Sequence, residues 1–325
     1  MRQLLWSMIA LLAAPAAFSQ SSLEMRWDPG ADECTAGQGR VQAHAIDQAT
    51  IAIRQSPCVD FEAPLMYLLI GGEKALLIDS GASDDAQITA SLTNLVSRYL
   101  ERADGSRLPL VVAHTHGHQD HRAGDAAFAG LPGTTVVPHE GDAMRKFFGF
   151  TNWPVDEVRF DLGGREIVLE PTPGHHPDHV VFLDTRTRYL FTGDFYLPGR
   201  LLVEDVDAYR DSAMRMVEFV QVWGVTTALG AHIEMTASGE LYPDGASHHP
   251  GEHSAALPFG IKEAVALQGA LDDFNGFYSR HADYAIANPV HNLIALAAGL
   301  VAVLVLLVWG LRRLWRRTRR RLAHA

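Results

Sequence analysis

The chain has 325 residues, 47% of them apolar, which is enough for one large domain or two small ones built on a sizeable core. Its formal net charge is −11, and setting aside Arg2 and the seven arginines near the C-terminus leaves −19 for the remainder. So acidic a body repels polyanions, which argues against a nucleic-acid substrate or partner.

In chain order, Arg2 is followed by an apolar run from Leu4 to Ala14 and the small-residue stretch APAAFSQ. This is the layout of a secretory signal peptide over residues 1–20. An uncleaved anchor is the alternative, but the run is short beside the ~20 apolar residues a membrane span needs. The chain's two cysteines, Cys34 and Cys58, come next. In an exported, oxidising setting they are expected to form a disulfide, two separate thiols being the alternative. Neither lies near the motifs below, so neither reads as a metal ligand.

From about residue 21 to 282, short β-branched runs alternate with longer amphipathic stretches. The patterns predict strands over Leu65–Ile70, Ala75–Ile78, Leu108–Ala113, Thr134–Val137, Ile167–Glu170, Val180–Leu183 and Tyr189–Thr192. Helices are predicted over Asp84–Arg102, Gly141–Phe148, Val206–Trp223 and Ala264–Arg280. In the first of these, Ile88, Leu92, Leu95, Val96 and Tyr99 share one face, and Asp84 and Asp85 suit the positive end of the helix dipole. Strands and helices intermixed in this way imply a layered α/β domain.

Residues 290–311 then read as a transmembrane helix, because Leu293 to Leu311 carries no charge. Seven arginines come immediately after (Arg312, Arg313, Arg316, Arg317, Arg319, Arg320 and Arg321) in a basic tail over 312–325. Trp309 and Trp315 stand where interfacial aromatics belong. Basic flanks stay cytoplasmic, so the domain is expected outside and the C-terminus inside. In a bacterium that means the inner membrane, with the domain on its periplasmic or extracellular face. The arginines suit anionic lipid headgroups.

The chemistry is concentrated in VVAHTHGHQDHRAGD, which follows an apolar strand. His114, His116, His118, Asp120 and His121 fall within eight residues there. Imidazole and carboxylate together make a donor set that zinc favours. Residues two apart in an extended segment share a side, so His116 and His118 are placed to grip one ion. Asp120 and His121, past a turn, face a second.

The run His116-Gly-His118-Gln-Asp120-His121 resembles the His-x-His-x-Asp-His signature of the metallo-β-lactamase superfamily. Later motifs come in that family's order: PTPGHHPDH with His175, YLFTGDF with Asp194, and LGAHIE with His232; LLIDSG with Asp79 precedes them. The resemblance implies a four-layer αβ/βα sandwich and two metal ions, zinc or other divalent metals. The first ion would be held by His116, His118 and His175, and the second by Asp120, His121 and His232. Asp194 would bridge them, and Asp79 would orient a ligand histidine. Histidine at 118, where oxygen-reducing di-iron relatives carry glutamate, points to hydrolysis. Asp194, where true β-lactamases generally carry cysteine or serine, points toward glyoxalase II and lactonase-like members.

The activity so implied is attack on a small ester, lactone or related carbonyl compound by a metal-bridging hydroxide, which Asp120 helps to orient. Alternatives are a mononuclear iron sulfur dioxygenase, a β-lactam hydrolase and a non-catalytic metal-binding module. Tyr196, two residues past Asp194, is a candidate donor to a substrate oxyanion, with packing as its other use. His114 reads as structural, His176 and His179 as loop or strand residues. His248, His249 and His253 read as a solvated loop or a rim near the site. Residues 235–280 are expected to cap it.

Overall fold

The computed structural model describes residues 23–35, 40–139 and 141–322, so the expected signal peptide lies outside the described residues. The first half contains β1 (Val41–Asp47), β2 (Thr50–Gln55), β3 (Leu65–Ile70), β4 (Ala75–Ile78), α1 (Ala86–Leu100), β5 (Leu110–Ala113), α2 (Gln119–Arg122), α3 (Asp125–Ala129), β6 (Thr134–Val136) and α4 (Gly141–Phe148). The second half contains β7 (Val158–Asp161), β8 (Glu166–Pro171), β9 (Val180–Asp184), β10 (Tyr189–Gly193), β11 (Gly199–Leu202), α5 (Val206–Trp223), β12 (Thr227–Gly230), β13 (Ala256–Pro258), α6 (Ile261–Asp272), β14 (Tyr278–Arg280), β15 (Tyr284–Ala287) and α7 (Pro289–Leu322). Among the described residues the strands form two six-stranded sheets, β1-β2-β3-β4-β5-β6 and β13-β12-β10-β9-β8-β7, and a small sheet β11-β15-β14.

Period-two alternation assigns each strand's side chains to two cores. Leu76 and Ile78 of β4 and Val111 and Ala113 of β5 face Leu169, Phe182, Phe191 and Leu229 of the other sheet. Leu77 and Val112, one residue out of phase, pack instead on Leu92, Val96 and Leu100 of α1. The second sheet's outer face, with Val168, Val181 and Leu190, packs on Tyr209, Met216 and Phe219 of α5 and Leu267 of α6. The result is helix, sheet, sheet, helix. Both faces of each sheet are covered, which is why these strands read as unbroken apolar runs.

Capping explains the helix ends. Asp85 accepts the Gln87 and Ile88 N–H groups, so α1 starts one residue later than Asp85 rather than at Asp84. The expected helix over 264–280 is corrected: α6 ends at Asp272, and Asn275 and Gly276 (φ +83°) turn the chain into β14, which pairs with β15. The alternating pattern beyond Asp272 belongs to a strand, not to a further helical turn. Cys34 and Cys58 form a disulfide, tying the described N-terminal segment to the β2–β3 loop. The same loop is fixed from the other side by Arg54, a buried guanidinium that forks onto Glu252 and donates to the Ala63 carbonyl at 3.2 Å. Finally, α7 stands clear of the domain: within Pro289–Trp315 it holds an unburied apolar stretch long enough to cross a membrane.

Candidate metal centre

β4, β5, β8, β10 and β12 all end at one edge of the sandwich, since β4 runs parallel to β5, β10 parallel to β12, and β9 returns antiparallel between β8 and β10. Their C-terminal loops carry Asp79, 114–121, 172–179, Asp194 and His232. Residues far apart in sequence therefore meet at a strand-end crevice, where α/β sheets build their sites.

Two groups form there. In the first, His116 Nε2 lies 2.9 Å from His118 Nδ1 and 3.2 Å from His175 Nε2, and the last two are 3.0 Å apart. Three imidazole nitrogens with their remaining lone pairs converging on one point make an unfavourable arrangement unless a cation sits between them. A tetrahedral zinc with bonds of about 2.0–2.1 Å sets its nitrogens roughly 3.3 Å apart, close to this spacing. In the second group, His121 Nε2 is 2.8 Å from Asp120 Oδ2 and 3.4 Å from His232 Nε2, which is itself 3.2 Å from Asp120. Asp194 spans the two: its Oδ1 lies 3.3 Å from His232 and its Oδ2 3.4 Å from His175. Asp194 Oδ1 is buried and accepts no well-aligned hydrogen bond, which suits an oxygen reserved for a metal. The residues present fit two divalent cations.

The rings are aimed from behind. His175 donates from Nδ1 to the Leu202 carbonyl at 2.8 Å, and His232 from Nδ1 to the Glu62 carbonyl at 2.9 Å. His121 Nδ1 meets Asp79 Oδ2 at 2.8 Å. Each contact leaves Nε2 facing the centre, where a bound metal would take its lone pair in place of a proton. Asp79 holds this position with a left-handed backbone (φ +66°), and its other oxygen accepts the Thr115 N–H at 2.8 Å. Gly193 has φ +52°, and a Cβ there would come within 2.6 Å of Thr115. The glycine of the T-G-D turn thus lets Asp194 close on the His116–His121 loop.

The electrostatics separate the groups. Burial holds His116 well below the ordinary imidazole range, reinforced by the nearby His121 and His175 rings, and burial lowers His118 as well. Burial alone would raise Asp120 and Asp194, but the rings of His121 and His232 outweigh it and keep both carboxyls ionised. For the same reason His121 and His232 are driven upward by Asp120, Asp79 and Asp194 against their own burial. An all-imidazole pocket, with His116 and His118 held toward their neutral forms, beside an acidic one is a donor set matched to dications.

Of the other histidines, His114 pairs with Asp125 at 2.8 Å, away from both groups. His179 is buried and hydrogen-bonds Thr172, with its ring stacked 5.1 Å from that of His116. His248 pairs with Asp32 and His253 with Asp283, whereas His249 departs from a solvated loop: it is buried, stacked on Tyr242 at 4.5 Å. The structure also corrects the placement of Tyr196. The turn Phe195 N–H to Thr192 carbonyl breaks the extended chain, so Tyr196 does not share a face with Asp194. Its ring packs instead on Phe259 and Tyr284 in the core over α5 and α6. Glu62, which no sequence motif marks, also borders the centre: burial raises its carboxyl to about 7 against the pull of His232, with Asp120 and Asp194 adding to the rise. Only three-dimensional closeness to His232 reveals it.

The sequence profile of the metallo-beta-lactamase superfamily matches residues 59–232. The chain belongs to that superfamily. Similar curated proteins include a hydroxyacylglutathione hydrolase of Anaeromyxobacter dehalogenans, 38% identical over 128 residues, which are 39% of this chain and 44% of that one. Another is a thioesterase of Emericella nidulans, 32% identical over 152 residues, 46% of this chain and 41% of that one. The chain thus spans less than half the length of either relative. Among solved structures, a metallo-beta-lactamase from Pontibacter korlensis superposes with a TM-score of 0.46 at 14% identity, covering 72% of this chain and 100% of that one. A member of that superfamily, the chain carries one all-histidine group and one histidine–aspartate group, each able to hold a metal ion.

Proposed function

We propose that the protein is a membrane-anchored hydrolase that holds two zinc ions and cleaves a small ester, thioester or lactone outside the cytoplasm. The observation that carries this is the convergence of His116, His118 and His175 on one point and of Asp120, His121 and His232 on another, with Asp194 reaching both. Two bound ions supply a Lewis acid and lower the pKa of water at the site from 15.7 toward about 7.

The chain's own residues do the rest. Leu202, Glu62 and Asp79 fix the tautomers of His175, His232 and His121. Asp120, kept ionised by His121 and His232, both binds and accepts from the attacking water. His118, Asp120 and Asp194 are the half-buried members of their groups, the others being buried, so substrate approaches on their side. Thioesters join the proposed substrate class because relatives are named as a thioesterase and a hydroxyacylglutathione hydrolase. The uncharged, unburied stretch of α7 followed by arginines supports the anchor, with the domain outside and the tail in the cytoplasm.

The test is the hydrolysis rate of the zinc-loaded protein on lactones, aryl esters, a thioester, a β-lactam and a phosphodiester. One class should be preferred, and His118→Ala should lose that activity by more than the roughly 10–100-fold an orienting partner is worth. An unchanged rate in His118→Ala would remove the centre from the reaction.

A further inference from the structure

The membrane helix leaves the domain beside the metal centre. His175 Nδ1 contacts the Leu202 carbonyl, the next residue Val203 donates to the Ala287 carbonyl at 2.8 Å, and Asn288 alone separates Ala287 from Pro289 at the start of α7. Two hydrogen bonds and one connecting residue therefore link a metal-binding histidine to the membrane span. The junction is fixed rather than loose. Asn288 caps the helix by accepting the His291 N–H at 2.8 Å, the Asn288 N–H donates to the Phe277 carbonyl, and His291 Nδ1 meets the Gly276 carbonyl at 2.8 Å. Leu293 to Leu311 spans about 28 Å at 1.5 Å per residue, close to the hydrocarbon thickness. Only about 6 Å of helix remains between Pro289 and that boundary. A domain attached so closely cannot stand off from the bilayer.

Exposed aromatic rings flank the junction, beside a cavity with both apolar and charged walls. Phe277 and Tyr278 are 45% and 48% exposed beside the first turn of α7, and Phe61 is 45% exposed on the β2–β3 loop. Phe61, Leu202, Tyr242 and Pro289 line part of a cavity of about 370 Å³ that Glu62 also borders, and its polar part carries Arg200 paired with Glu234 and Asp244. That cavity therefore joins the segments that orient His175 and His232 to the first residue of the membrane helix. Exposed aromatic rings at this height suit the headgroup layer.

Building on the hydrolase reading above, we infer that the substrate is an amphiphile resident in the bilayer: an ester or thioester of a long alkyl acid, reached through the Phe61–Pro289 cavity from the leaflet under the domain. Water adds across the acyl C–O or C–S bond. The hydroxyl joins the acyl carbon and one proton goes to the departing alcohol or thiol; the new acid gives its remaining proton to solvent and stays as a carboxylate with its chain in the membrane.

The test uses the full-length, zinc-loaded chain in nanodiscs. A fluorogenic palmitate ester is placed either in the same discs or in separate ones, with a water-soluble butyrate ester as control. Because the two native cysteines are joined, Phe61→Cys and Val222→Cys each offer one free thiol for a dye. Val222 lies at the end of α5 that feeds the start of β12, the end of that strand remote from His232. The expected results are palmitate hydrolysis faster by about tenfold or more in shared discs, and quenching by headgroup-depth nitroxide lipids at position 61 but not at 222. Equal rates in shared and separate discs, or a dye at position 61 as little quenched as at 222, would overturn the inference whatever the esterase activity. Butyrate cleavage alone would leave the hydrolase reading standing and remove the membrane substrate, whereas cleavage of neither ester would remove both.

Discussion

Asp79 offers the sharpest separation between holding the fold and holding a metal. Its carboxylate accepts from the Thr115 N–H and from His121 Nδ1, each at 2.8 Å, and its backbone is left-handed. Asp79→Ala removes both acceptors. The buried Thr115 N–H then goes unsatisfied at a cost of about 1–3 kcal/mol, and alanine in the left-handed region adds roughly 1–2 kcal/mol. His121 also loses the contact that sets its tautomer, which should weaken the second metal about 10–100-fold, or about 1.4–2.7 kcal/mol. Asp79→Asn divides these effects. Asparagine tolerates the left-handed backbone, and its carbonyl still accepts the Thr115 N–H, but its amide group faces His121 with a donor. It should therefore keep most of the stability and still lose second-ion affinity. Competition with a chromophoric chelator resolves the two dissociation constants, and denaturant melts of the metal-free protein give stability. If Asp79→Asn left the weaker dissociation constant unchanged, or moved both constants equally, the assignment of Asp79 to His121 would be wrong.

Three further expectations rest on the same structure. Burial raises Glu170 to about 8 even though Arg215 lies 3.6 Å away. The folded state therefore keeps a proton that the unfolded state releases above about 4.5, so stability should fall as pH rises from there to about 8. Glu170→Gln should flatten that fall in melts taken across the range; an unchanged pH slope would contradict it. Reducing the Cys34–Cys58 disulfide, which spans 24 residues, should cost about 3.5 kcal/mol in the chain-entropy treatment and free the loop that carries Glu62; a melt with and without reductant measures it. Gly193→Ala should drive a methyl group into Thr115 and strain the positive-φ turn, lowering both stability and hydrolysis, whereas the same change at exposed Gly105, which has open space around it, should leave hydrolysis intact.

The part of the site that is legible in the sequence is the part carried by local spacing. His116, His118, Asp120 and His121 lie within one loop after one strand, and the strands before Asp79, His114 and Asp194 announce themselves as apolar runs because both faces of each sheet are buried, whereas the short strand before His232 does not. The parts that are not legible depend on contacts between distant segments. The Glu62 and Leu202 carbonyls aim metal-facing histidines 170 and 27 residues away, and nothing in their own neighbourhoods marks them. Tyr196 is misplaced by any reading that carries an extended chain through the turn after Thr192. The stretch after Asp272 keeps enough apolar residues to imitate a helix, although Asn275 and Gly276 end it and β15 recruits residues 278–280 as a strand. The nearness of α7 to the centre is likewise invisible until β11 and β15 pair.

The central claim is a hydrolase whose chemistry needs both groups of ligands. The most direct measurement strips the full-length protein with chelator, restores zinc in increments, and monitors hydrolysis of the preferred panel substrate. The rate should keep climbing until two equivalents per chain are bound, and the Asp120→Ala protein should bind the first equivalent normally yet stay inactive. Full activity at one equivalent, or with iron in place of the pair, would contradict it.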